Sequence, residues 1–174
     1  MLGLPPLPSW DALHPLVVHF PIALLLVAPV FVLVGLFRRA PAKGPLVAAL
    51  VLMALGTAAI YVAVPTGEAA GRLAERTPQI SKALETHEEL AETARVFFTI
   101  LTVIFGVIVF VPRLVKRELG RVAAVTLNAA FLVLYGAGGL VLVNTAHQGG
   151  TLVHAYGVHA LTDAPQGAPA VDDD

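Results

Sequence analysis

Residues 14–37 read HPLVVHFPIALLLVAPVFVLVGLF and run directly into Arg38-Arg39. Apart from two histidines the stretch carries no charged or amide side chain. At a helical rise of about 1.5 Å per residue, some 20 such residues cross a hydrocarbon layer of about 30 Å. Lipid offers backbone N–H and C=O groups no partner, so the stretch is read as a membrane-crossing helix. Three further apolar runs repeat the pattern, which predicts spans at about 15–37, 45–65, 93–112 and 122–145. The expected fold is all-α: an integral-membrane antiparallel four-helix bundle formed by one domain, residues 1–162.

Composition agrees. The 174 residues are 57% hydrophobic and only 13% charged, with mean hydropathy +0.80; a soluble domain carries roughly 25% charged residues. The net charge of −1 provides no basic stripe, which argues against nucleic acid as a partner. With no cysteine in the chain, disulfides, cysteine-ligated clusters and covalently attached c-type haem are excluded. The N-terminus MLGLPPLPSWDALHP lacks a basic region ahead of its apolar run, so the first span reads as a retained anchor rather than a cleaved leader.

Loop charges set the expected orientation. Arg38, Arg39 and Lys43 separate spans one and two; Arg113, Lys116, Arg117 and Arg121 separate spans three and four. Seven of the 11 basic residues thus fall in two short loops on one side, while the 65–92 connection leans acidic. The positive-inside rule makes both short loops cytoplasmic and both termini periplasmic, in a bacterial inner membrane. Pro21 and Pro29 are expected to kink span one, and Thr77-Pro78 to cap a long helix running to about Val111. Residues 163–174, rich in Pro, Ala and Asp, are expected to be a disordered tail.

On this topology all six histidines lie toward the outer side: His14 and His19, His87, His147, and His154 with His159. Imidazole ligates iron, copper, zinc and nickel. Haem b in a bundle needs axial histidines on facing helices and small residues beside the porphyrin plane. Gly136, Gly138 and Gly139 in span four, and Ala91 and Ala94 in span three, meet that requirement. The glycines suit a helix-packing face equally well, and a histidine at a membrane interface is often only a hydrogen-bonding residue. Arg72, Arg76 and Arg95 lie near enough in sequence to neutralise haem propionates. Glu68, Glu88 or Glu92 could instead complete a non-haem copper, iron or zinc site.

Hydrolase and transferase signatures are missing. His87-Glu88 lacks the second histidine of H-E-x-x-H, there is no phosphate loop, and the chain has only two serines. Thr126 and Asn128 are the main polar residues in the inner half of span four and read as interhelical hydrogen-bonding groups.

Two segments carry a family resemblance: His14-Pro15-Leu16-Val17-Val18-His19-Phe20-Pro21 and His147-Gln148-Gly149-Gly150-Thr151-Leu152-Val153, with Thr66-Gly67 and His87 between them. In these the chain resembles the bacterial "domain of unknown function 2231" membrane family, nearly end to end as far as about residue 160. The resemblance implies a four-helix inner-membrane protein without an assigned activity. The family's histidines match His14, His19, His87 and His147; His154 and His159 depart from its last motif. In outline such bundles are similar to haem-b four-helix proteins, an analogy of fold only. The expectation is one or two b haems held by His14, His19, His87 and His147, with His19 and His147 foremost and Arg95 and Gly139 beside them. Electrons would pass to or from a periplasmic cytochrome c or a quinone. A bare metal site and a cofactor-free structural subunit are the competing readings. A homo-oligomer is compatible with all three.

Overall fold

In the computed structural model, residues 8–37, 43–116 and 119–158 are described. Arg38, Arg39, Arg117, His159 and the expected tail lie outside them. A 3-10 turn, Asp11–Leu13, leads into α1 (His14–Val17) and α2 (His19–Phe37), followed by α3 (Lys43–Leu73), α4 (Pro78–Leu114) and α5 (Arg121–His154). There is no strand among the described residues. Among the described residues four helical segments, the first comprising the 3-10 turn, α1 and α2, are long and apolar enough to cross a membrane.

The prolines act where the sequence suggests, but not alike. Pro21 has no N–H to give the Val17 carbonyl, and the helix is interrupted one residue later, at Val18, which stays right-handed (φ −59°, ψ −27°). At Pro29 the helix runs on unbroken. The carbonyl that Pro29 leaves free is that of Leu25, and the Tyr135 hydroxyl of α5 donates to it at 2.7 Å. A distant side chain thus replaces the missing backbone donor, as lipid cannot. Tyr135→Phe should therefore cost about 1–2 kcal/mol, the penalty of an unsatisfied buried carbonyl, read as a lower midpoint in detergent-induced unfolding; an unchanged midpoint would mean that water or another donor takes the hydroxyl's place.

Three helices, α3, α4 and α5, outrun the apolar spans read from the sequence. The 65–92 connection is almost entirely helical: α3 continues through Pro65 to Leu73, and α4 begins at Pro78. Glu68 and the Glu85–Glu92 run end the hydrophobic stretches without ending the helices. The Thr77 cap forms as read, its hydroxyl accepting from the Ile80 N–H at 3.2 Å. Helices of 31, 37 and 34 residues for α3, α4 and α5 extend about 47–56 Å, well beyond a hydrocarbon core of about 30 Å. Their surplus gathers at one end, where Ile80, Leu84 and Leu152 form a small second core.

The helices stand at the corners of a square: α2 packs on α3, α3 on α4, α4 on α5 and α5 on α2, with no direct packing across either diagonal among the described residues. Within the square, Leu25, Val32, Met53, Phe98, Leu101 and Phe105 are buried. Phe105 stacks on Phe131 at 4.6 Å, and Phe98 meets Tyr135 edge-on at 5.5 Å. Small residues bring the helices together: a Cβ on Gly56 would come within 2.7 Å of Leu25, and one on Gly138 within 2.9 Å of Phe97. The outer faces carry Val30, Leu33, Ile100, Val103, Val107, Val133 and Leu140, all exposed. Such a surface suits lipid and not water.

Candidate functional site

At the end of the bundle where the helices overrun the apolar layer, four helices enclose a cavity of about 440 Å³. Its wall is mostly aliphatic, with Ile22, Ile60, Val64, Ala91, Ala94 and Leu142 at its base. Into it come His14 from α1 and His87 from α4, helices on opposite corners of the square. Their ring centroids are 6.4 Å apart and their planes meet at 85°.

Each ring is held by the helix behind it. His14 Nδ1 donates to the Ala63 carbonyl of α3 at 2.9 Å, with the Thr66 hydroxyl 3.4 Å from the same nitrogen. His87 Nδ1 donates to the Thr145 carbonyl of α5 at 3.0 Å. A carbonyl can only accept, so both Nδ1 atoms carry the proton and each neutral ring keeps its lone pair on Nε2. Among the described residues neither Nε2 makes a hydrogen bond. An imidazole fixed through Nδ1–H to a backbone carbonyl, with Nε2 free, is oriented as a ligand.

Glycines make the space for both rings. A Cβ on Gly67 would lie 2.8 Å from His14 Cε1, and one on Gly149 would lie 3.1 Å from His87 Cε1. His87 lies in the part of α4 ahead of the span expected at about 93–112. Burial holds its imidazole below the ordinary histidine range; the bond to Thr145 acts the other way and the nearby His14 adds to the lowering.

The remaining candidates are distributed differently. His19 and His154 line the cavity but are exposed to its outside. His147 is exposed and does not line the cavity. Glu68 and Glu88 are part of the wall, whereas Glu92 pairs with Arg95, whose guanidinium lies 5.6 Å from the centre of the Tyr61 ring on the α3–α4 seam. Arg76 donates to the Gly71 carbonyl at 3.0 Å, and none of Arg72, Arg76 and Arg95 lines the cavity. A Cβ on Gly136 or Gly139 would meet nothing within 4 Å, and Gly138 packs on α4. None of Gly136, Gly138 and Gly139 lines the cavity. Gly67 and Gly149 stood in the sequence motifs, but only the rings they face explain them. No group of three or more His, Asp or Glu side chains converges to hold a metal ion among the described residues.

Residues 10–162 match the model of the family described as "Predicted membrane protein (DUF2231)". No curated protein and no solved structure matches the chain. The chain belongs to the DUF2231 family.

Proposed function

We propose that this member of the DUF2231 family is a multi-pass b-type haem protein, in which His14 and His87 would hold one haem used for electron transfer. The observation that carries the reading is the histidine pair itself. Two imidazoles bound on opposite sides of one metal, at about 2 Å per metal–nitrogen bond, have centroids roughly 6 Å apart. The 6.4 Å separation, the two protonated Nδ1 atoms and the glycine-made space fit that arrangement. A porphyrin brings four equatorial nitrogens of its own, so two protein ligands are enough. A bare zinc, copper or iron ion needs three or four protein ligands, and two imidazoles fall short unless Glu68 or Glu88 moves. When bound, haem supplies one-electron chemistry; the chain's own residues fix the ligand rings, and the aliphatic wall excludes water and so tunes the potential.

The loop charges support an orientation with the histidines on the periplasmic side of a bacterial inner membrane. On that side the site would exchange electrons with a cytochrome c or a quinone. A reduced-minus-oxidised absorption spectrum of protein purified from haem-sufficient cells, with metal content measured on the same sample, tests the reading. A Soret band with near-stoichiometric iron is expected. A colourless protein would sink it, and a colourless protein carrying zinc or copper would favour the bare metal site.

Retention of the cofactor should depend on pH in one direction. His87 has a folded pKa below its unfolded value of 6.5, so the neutral ring's contribution is complete above that value and is lost as pH falls through it toward the lowered one. Soret absorbance should be flat from about pH 8 to about pH 7 and decline toward pH 5. A decline on the alkaline side instead would contradict ligation by a neutral imidazole.

A further inference from the structure

Three of the four corner seams are closed at the level of the histidine pair. The 3-10 turn and α1 pack on α3, α3 packs on α4, and α4 packs on α5. Among the described residues α1 makes no contact with α5, although deeper in the bundle α2 and α5 are joined through Tyr135. The cavity therefore reaches the surface between α1 and the end of α5. His19 stands on one side of this opening and His154 on the other, both exposed and both part of the cavity wall. His19 lies one helical turn within the apolar stretch that starts near Pro15, so the opening faces the edge of the lipid layer.

We propose that this opening is a lateral portal that binds the headgroup of a lipid-dissolved quinone or quinol, with its apolar tail remaining in the bilayer. Wall chemistry selects that class. Among the described residues the cavity wall contains no lysine or arginine but includes Glu68 and Glu88, so the phosphate of a phospholipid would meet two carboxylates there. A neutral ring with two oxygens has no such penalty. Imidazoles on either side can donate to carbonyl oxygens or accept from hydroxyls, and Pro15, Val18 and Val153 provide apolar surface for the ring. The binding site stands without the haem reading; its role as the electron partner's site rests on that reading.

The test uses the full-length protein in phosphatidylcholine nanodiscs and a photoreactive azido-ubiquinone analogue with a short tail. Label is expected on peptides spanning residues 15–22 and 146–154 and should be competed away by decylubiquinone. In the His19→Ala/His154→Ala double variant, labelling should fall about five- to tenfold, the loss of one or two hydrogen bonds, with the Soret band intact. Label spread evenly over the lipid-facing helices, competition by phosphatidylglycerol rather than decylubiquinone, or undiminished labelling of the double variant would overturn the proposal. Seam labelling in a protein without a Soret band would leave the portal standing and remove the haem. A Soret band without seam labelling would do the reverse.

Discussion

Protein carrying His14→Ala or His87→Ala is expected to be purified without a Soret band, while His147→Ala keeps the full spectrum. Each of the first two changes removes one of the two imidazoles that enter the cavity from opposite corners of the bundle with their Nδ1 atoms tied to a carbonyl. It leaves in place the carbonyl that oriented the lost ring, Ala63 or Thr145. Among the described residues no third histidine is buried beside the pair; His19 and His154 line the wall from its exposed rim. Loss of cofactor should be nearly complete, with helical circular dichroism unchanged, because neither residue belongs to the Phe98–Phe131 core. His147 is exposed and away from the cavity, which makes it the internal control. A His147→Ala spectrum as depleted as that of His14→Ala would transfer the site to a different layer of the protein.

The second large effect should come from glycine. Gly67→Ala introduces a Cβ 2.8 Å from a ring whose Nδ1 is already tied to Ala63. The ring cannot keep both its hydrogen bond and its place, so most of the cofactor should be lost although no ligand has been removed. At Gly149 the corresponding distance is 3.1 Å, and a shift of a few tenths of an ångström relieves it. Gly149→Ala should therefore be partly loaded, with an altered spectrum. Gly139→Ala and Gly136→Ala meet no neighbours and should match the wild type. Measured as haem per protein, the order Gly139→Ala, Gly149→Ala, Gly67→Ala should run from full to least. Equal loading in all three would show that the rings are not confined as described.

The height of the cavity in the bundle was legible from hydropathy and loop charge, because spans in alternating directions bring His14, His19, His87 and His154 to one end. Which histidines face inward was legible too, through a different signal. On α4, His87 continues the buried series Ile80, Leu84, Ala94, Phe98 at steps of three and four. His14 keeps the same register with Pro21, Leu25, Ala28 and Val32. His147 comes two residues after Thr145, about 200° around the helix. Ranking His19 and His147 first used depth and motif and left out this angular register. The acceptors Ala63 and Thr145 could not be read at all, since a backbone carbonyl has no residue identity. Helix ends were misjudged for a related reason: hydropathy reports the solvent around a helix, whereas α3 and α5 continue past their apolar stretches because each still has α4 to pack against.

The bond from Tyr135 to the Leu25 carbonyl also bears on how the protein is made. Chains are synthesised from the N-terminus, so α2 enters the bilayer with the carbonyl opposite Pro29 lacking its backbone donor. The hydroxyl that satisfies it arrives 110 residues later, on α5. Until α5 docks, the first span holds an unfilled polar defect inside the membrane. α5 thus repairs a helix made well before it, and α2 stays marked as incomplete until Tyr135 docks.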